Sequence, residues 1–183
     1  MDKPAGIGRR HALSLCAGAA AFMASPAAAR VVFRESRRLT FHHLHTGEKL
    51  SRVYWAKGNY LDDALEEISW LCRDFRTGDS RTIDLETLDI VYRVRQVLET
   101  NKPVEIISAY RSPKTNAALA ARSPGVAKRS FHLQGRAIDI RIPGISSHTV
   151  SRAAASLQSG GVGLYSRSDF VHLDNGPWRR WGS

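Results

Sequence analysis

The chain has 183 residues, 43% of them hydrophobic and 24% charged, which supports one domain with a proper core and excludes a largely disordered chain. Its formal charge is +10, so the surface favours an anionic partner such as a polyanion, a cell wall or a membrane face. Nucleic acid is set aside as that partner, because no zinc-finger spacing, helix-turn-helix cue or aromatic RNA-binding motif is present.

Residues 1–29 read as an export signal. Arg9 and Arg10 form a basic pair, an alanine-rich apolar stretch runs from Ala12 to Ala24, and Ala27-Ala28-Ala29 offers a small-residue cleavage site before Arg30. The arginine pair points to the twin-arginine route. Ala12 and Ser14 stand where that signal usually has Phe and Lys, so a general secretory signal is the alternative. The apolar run is too short for a good transmembrane helix, and the mature protein is expected in the periplasm or cell envelope with no stable membrane span. Of the two cysteines, Cys16 would leave with the signal; Cys72 falls on the apolar stripe of a helix and reads as a buried, inert thiol.

Residues 30–38 are basic and read as an arm, and 39–183 as a single domain. Leu39 to His45 and Leu50 to Trp55 form two extended runs around Thr46-Gly47-Glu48-Lys49, a hairpin signature. His42, His43 and His45 have no nearby carboxylate to complete a metal set and read as a solvated hairpin face. Asn59 is expected to cap a helix to about Phe75, and Asp84 a second one with Leu88, Val91, Val94 and Leu98 inward. Val104 to Tyr110 reads as a strand ended by Arg111, with Ser112-Pro113 opening a helix to about Arg122. Ser146 caps a further helix through Leu157, Gly160-Gly161 turns it into the strand Val162 to Tyr165, and a last strand carries His172. The pattern is α+β, with a small, mainly antiparallel sheet and flanking helices.

The chemistry concentrates in Ser130-Phe131-His132-Leu133-Gln134-Gly135-Arg136-Ala137-Ile138-Asp139. Ile138, Ile140 and Ile142 alternate with Asp139 and Arg141, so Asp139 projects from the face opposite the isoleucines. Gly135 lets the chain fold back and returns His132 to that side. His172 lies in a second alternating run, Phe170-Val171-His172-Leu173-Asp174. Two imidazoles and a carboxylate make a three-ligand zinc set with the fourth position open to water. The competing reading is unrelated polar residues on strand surfaces; the second histidine on its own strand favours the metal. Hydrolysis by a metal-bound water needs a base, for which Asp169 and Asp174 are the candidates. Arg111, preceded by Tyr110, suits a carboxylate clamp, and Ser130 suits a hydrogen bond to substrate or a role in fixing its loop.

These residues also carry a resemblance. Ser-x-His-x-x-Gly-x-Ala-x-Asp, with Arg111 in an earlier Ala-Tyr-Arg-Ser and Asp-x-x-His later, is similar to the zinc D-Ala-D-Ala metallopeptidase family of peptidoglycan hydrolases. His45–Glu48 (HTGE), Gly160–Tyr165 (GGVGLY) and Phe170–Gly176 (FVHLDNG) bring it nearest to the exported, YcbK-like murein endopeptidase branch. The resemblance covers about residues 40–181. It implies Zn2+ on His132, Asp139 and His172, peptidoglycan stem peptides as substrate, and a catalytic acid three residues before the last histidine, which puts Asp169 ahead of Asp174. Carboxypeptidase members carry a histidine two residues before that acid; Arg167 stands there instead, so transition-state support would come from Arg167 or from elsewhere. The expected function is a zinc-dependent murein endopeptidase that cuts peptide cross-links. A D,D-carboxypeptidase trimming stems and a non-catalytic, zinc-containing wall-binding module are the alternatives.

Overall fold

The computed structural model describes residues 36–123 and 125–182. The expected export signal and the first residues of the expected basic arm lie outside them. The strands are β1 (Ser36–His43), β2 (Lys49–Ala56), β3 (Asn59–Tyr60), β4 (Val104–Ser108), β5 (Ala137–Arg141), β6 (Gly161–Tyr165), β7 (Phe170–Asp174) and β8 (Arg179–Gly182). The helices are α1 (Asp62–Leu71), α2 (Leu85–Val97), α3 (Pro113–Arg122) and α4 (Ser147–Ser156). Among the described residues no helix is long and apolar enough to cross a membrane.

The strands form one sheet in the order β3-β2-β1-β4-β5-β7-β6-β8. Neighbours are antiparallel except for β1 with β4 and β6 with β8. This is the α+β architecture the pattern predicts. Period-two alternation sends Leu39, Phe41, Val104, Ile106, Ile138, Ile140, Val162, Leu164, Val171 and Leu173 into one core. There they meet Ile68 of α1, Leu88, Val91 and Val94 of α2, and Val150 of α4. Burying each of these side chains is worth roughly 1.5–3 kcal/mol, so the core fixes which way each strand faces, and therefore what the opposite face carries.

On that opposite face the register draws two rows across β5, β7, β6 and β8. Asp139 pairs with His172, His172 with Gly163, and Gly163 with Trp181. One step along, Ala137 pairs with Asp174, Asp174 with Gly161, and Gly161 with Arg179. The two glycines of β6 explain the Gly-Gly-Val-Gly run. A Cβ on Gly163 would meet the Trp181 indole at 2.5 Å, and one on Gly161 would meet the Asp174 carboxylate and the Arg179 guanidinium. The bare backbone of β6 lets side chains of β8 reach over it to β7.

The helix caps at Asp84, Ser112 and Ser146 form as expected, each accepting a backbone N–H from the first turn of its helix. Four local readings differ. β1 opens at Ser36, taking in the last three residues of the expected arm. Asn59 does not cap α1; it pairs with Ala56 in the short β3, and Leu61 occupies the cap position without a side-chain bond. The strand that carries His172 is not the last: Arg179–Gly182 form β8, which periodicity could not announce because Pro177 and Trp178 leave only four residues for it. His43 is fully buried rather than solvated: its Nδ1 accepts the N–H groups of His45 and Thr46, each at 3.3 Å, and burial pushes its pKa down to about 4.

The Gly163–Trp181 contact makes a direct test. Gly163→Ala should destabilise the fold by about 1–3 kcal/mol in urea titrations. Most of that loss should vanish when Trp181→Ala is made in the same chain, a coupling that a double-mutant cycle measures.

Candidate metal centre and its cleft

His132 sits in a single 3-10 turn, Phe131–Gln134, between β4–α3 and β5. Ser130 caps it, its hydroxyl accepting the His132 N–H at 3.4 Å. Gly135 closes it at φ 70°, where a Cβ would run into the Thr82 carbonyl oxygen. The Gly135 carbonyl accepts the Asp84 N–H at 2.9 Å, and Asn175 donates to Asp84 Oδ1 at 2.6 Å while accepting from Arg136 Nε at 2.7 Å. The turn is thereby fixed to the start of α2 and the end of β7. Inside it, His132 Nδ1 donates to the Ala109 carbonyl at 2.5 Å, which leaves Nε2 as the bare nitrogen.

Nε2 of His132 faces Nδ1 of His172 at 3.1 Å and Oδ1 of Asp139 at 3.3 Å; His172 Nδ1 and Asp139 Oδ1 are 2.8 Å apart. Among the described residues these three form the one group of donors able to hold a metal ion. A tetrahedral ion bound at about 2.0–2.1 Å spaces its donor atoms by about 3.3 Å, so the set fits such an ion with small adjustment. Its proton positions fit as well. His172 Nε2 donates to Asp174 Oδ2 at 2.9 Å, so in the neutral ring that a metal ion requires the proton sits behind it and Nδ1 offers its lone pair to the site.

Asp174 is itself held. Arg179 grips it through Nη1–Oδ1 at 2.9 Å and Nη2–Oδ2 at 2.6 Å, and Gly176 N–H donates to Oδ1 at 2.8 Å. Burial opposes ionisation of Asp174, and these bonds, with the one to His172, overcome it and hold its pKa well below the usual carboxylate range. Asp139 is held low in the same sense: burial raises it, and the two imidazoles outweigh burial. For His172 burial opposes the charge, and the two carboxylates carry its pKa up to about 9. His132, with no carboxylate behind it, is lowered by burial.

Asp139 and His172 line an open cleft of about 630 Å³, and the fully buried His132 joins them from beside it. Arg111, Ser130, Phe131, Tyr165, Phe170 and Trp181 line it, together with Arg129, Arg179 and Arg180. Trp181 packs on His172 with ring centres 5.3 Å apart and donates through Nε1 to the Tyr165 hydroxyl at 3.2 Å, while Tyr165 stacks on Phe170 at 4.5 Å. Arg111 is largely buried, and its Nε has no hydrogen-bond partner among the described residues. Its backbone N–H donates to the His132 carbonyl at 3.2 Å. The neighbouring Ser112 is fixed by Asp74, which accepts from both its N–H and its hydroxyl.

The structure therefore gathers His132, Asp139, His172, Arg111 and Ser130, and leaves other expected residues outside the cleft. Tyr110 packs against the core. Arg167 is exposed on the short turn before β7 and does not line the cleft. Asp174, considered as a base, has its oxygens committed to His172 and Arg179. Asp169 is exposed, has φ 49°, and lines a separate depression with Glu105, Arg141 and Ser146. Sequence reasoning missed the Ala109 carbonyl, which has no side-chain signature, and the cleft wall of Tyr165, Phe170 and Trp181, which needs the position of β8. Cys72 is buried, and burial pushes its thiol up to about 12, as an inert core thiol requires.

A His–Asp–His donor set with its proton positions fixed from behind, open on one side to a substrate-sized cleft, is the arrangement of a metallopeptidase. Residues 31–181 match the family model described as peptidoglycan L,D-endopeptidase MepK, and the chain belongs to that peptidase family. Relatives named peptidoglycan L,D-endopeptidase MepK in Escherichia coli and Shigella flexneri are 42% identical over 175 residues, covering 94% of this chain and 96% of theirs. A Haemophilus influenzae protein, named as a probable member with the same activity, is 40% identical over 146 residues, covering 79% of this chain and 78% of its own. The resemblance to cell-wall metallopeptidases drawn from the motifs is thus borne out.

Asp174→Asn should weaken divalent-metal binding by about 10–100-fold through loss of the grip on His172, and His132→Ala should weaken it further. Competition against a chromophoric chelator measures both.

Proposed function

We propose that the protein is an exported, zinc-dependent endopeptidase that hydrolyses peptide cross-links of peptidoglycan at a bond joining an L to a D centre. The observation that carries this reading is the convergence of His132 Nε2, Asp139 Oδ1 and His172 Nδ1, two of whose residues, Asp139 and His172, line an arginine-bearing cleft. The relatives' names supply the bond type. Zinc suits two imidazoles and a carboxylate with an open position, and when bound it acts as a Lewis acid and brings a water toward neutral pKa.

The chain's own groups do the rest. Arg111 lines the cleft and presents its guanidinium to a stem carboxylate, and its partial burial strengthens that pairing. Burial lowers its pKa and the nearby Asp139 carboxylate opposes that fall. Ser130 borders the cleft and offers its hydroxyl to the peptide backbone while it caps the His132 turn. Phe131, Phe170 and Trp181 cover the apolar parts of the stem and keep bulk water from the reacting bond. Asp174 acts as the orienting partner of His172 and not as a base. The absence of the carboxypeptidase histidine at Arg167 favours cross-link cleavage over trimming of a terminal residue. Export agrees with a substrate outside the cytoplasm, and the family match opens at residue 31, just past the segment read as a signal.

Digestion of intact peptidoglycan, read by mass of the released muropeptides, is the test. The zinc-loaded protein should convert cross-linked dimers to monomers, and the His132→Ala variant should not. Loss of a single terminal residue would mean carboxypeptidase, and an unchanged profile would mean a wall-binding module. Asp169→Asn decides the base. A general base contributes about 10²–10⁴-fold, whereas the exposed place of Asp169 outside the cleft predicts a loss below about tenfold.

A further inference from the structure

Amide hydrolysis builds negative charge on the scissile carbonyl oxygen. Water adds to the carbonyl carbon and the π pair moves onto that oxygen; on collapse the pair re-forms the double bond, the C–N bond breaks, and the amine leaves with a proton from the water. Hydrogen-bond donors fixed in advance toward that oxygen are usually the largest single source of rate. Arg167, which stands in place of the carboxypeptidase histidine, is exposed outside the cleft. Arg179 is spent on Asp174.

Tyr165 is placed for the task. It is in step with Gly161 and Gly163 on β6 and pairs with Phe170, one alternation beyond the Gly163–His172 pair, so it stands on the same face of the sheet as the metal ligands. Because the other two are glycines, it is the one side chain that β6 presents on that face. Its position is fixed twice. The ring stacks on Phe170 with centres 4.5 Å apart, and Trp181, which itself packs on His172, donates Nε1 to the hydroxyl at 3.2 Å. Among the described residues the hydroxyl accepts that bond and donates none. The side chain lines the cleft and is 36% exposed, so the O–H can turn to a substrate. Accepting the indole N–H polarises the phenol and strengthens it as a donor. Burial dominates the electrostatics of Arg111, and Asp139 and Tyr165 are both close enough to act on it, which puts the phenol, the carboxylate clamp and a metal ligand within reach of one peptide.

Resting on the endopeptidase reading above, we propose that Tyr165 is a catalytic hydrogen-bond donor whose phenol holds the scissile carbonyl oxygen and binds it more tightly as negative charge develops there. The phenol keeps its proton throughout; it stabilises charge and is not the acid that protonates the amine. The effect therefore falls on kcat more than on KM.

The test is steady-state cleavage of a cross-linked muropeptide dimer by the zinc-loaded protein. Tyr165→Phe keeps the ring on Phe170 and removes only the hydroxyl. It should lower kcat by about 10²-fold with KM little changed, while the unfolding midpoint and the divalent-metal affinity, read by chelator competition, stay at their wild-type values. A phosphinate analogue of the scissile bond separates a donor from a mere prop for Trp181. Its inhibition constant should rise by about the factor by which kcat/KM falls, whereas calorimetric binding of the intact dimer to chelator-treated protein should not change. A kcat within about threefold of wild type, or a loss of affinity shared equally by dimer and analogue, overturns the assignment. If the wild-type protein cleaves no dimer, the endopeptidase reading fails. Tyr165 is then judged on binding alone: the donor stands only if the analogue binds the zinc-loaded wild type and Tyr165→Phe weakens it by about tenfold or more, and falls otherwise.

Discussion

The whole site depends on strand register. Asp139 and His172 are cross-strand partners, and a slip of one residue between β5 and β7 would put them on opposite faces, sending one of them into the isoleucine core. The core prevents that slip, because every alternate residue of these strands is buried against α1, α2 and α4. The same register continues through Gly163 to Trp181 and through Gly161 to Arg179. Hydrophobic burial on one face therefore places ligands, orienting carboxylate, cation and aromatic wall on the other. His132 is the exception: it comes from a turn, and a left-handed glycine with a chain of hydrogen bonds through Asp84, Asn175 and Arg136 does for it what register does for the others.

The electrostatics follow from the same arrangement. Three buried donors converge, which is costly without compensation. Each histidine passes its proton away from the site, to the Ala109 carbonyl in one case and to Asp174 in the other. Asp174 stays ionised in a fully buried position because Arg179 and a backbone N–H hold it, and that requires the glycine at 161 to let Arg179 in. A sequence feature that looks like a flexible turn is thus part of the support of the metal ligands.

Much of this was legible in the sequence and some of it could not be. The alternation around Asp139 and His172 showed which residues leave the core, and the glycine at 135 showed where the chain folds back. The caps at Asp84, Ser112 and Ser146 were readable because capping is local. Tyr110 was misread because a strand end does not reveal which side chains reach the cleft and which pack inward. Position relative to His172 alone does not separate Asp169 from Asp174; the resemblance puts Asp169 ahead, and the contacts of Asp174 with His172 and Arg179 take it out of contention as a base. Asn59 has the residue type of a cap, but the two-residue turn Lys57-Gly58, both at positive φ, folds it back onto Ala56 in a strand too short for alternation to show.

X-ray absorption at the zinc edge of the loaded protein tests the central claim most directly. The account predicts two imidazole nitrogens and a carboxylate oxygen at about 2.0–2.1 Å, with a light oxygen in the fourth position and no sulfur. A first shell with sulfur, or one with fewer than two imidazoles, would contradict the assignment of His132, Asp139 and His172 as the metal centre.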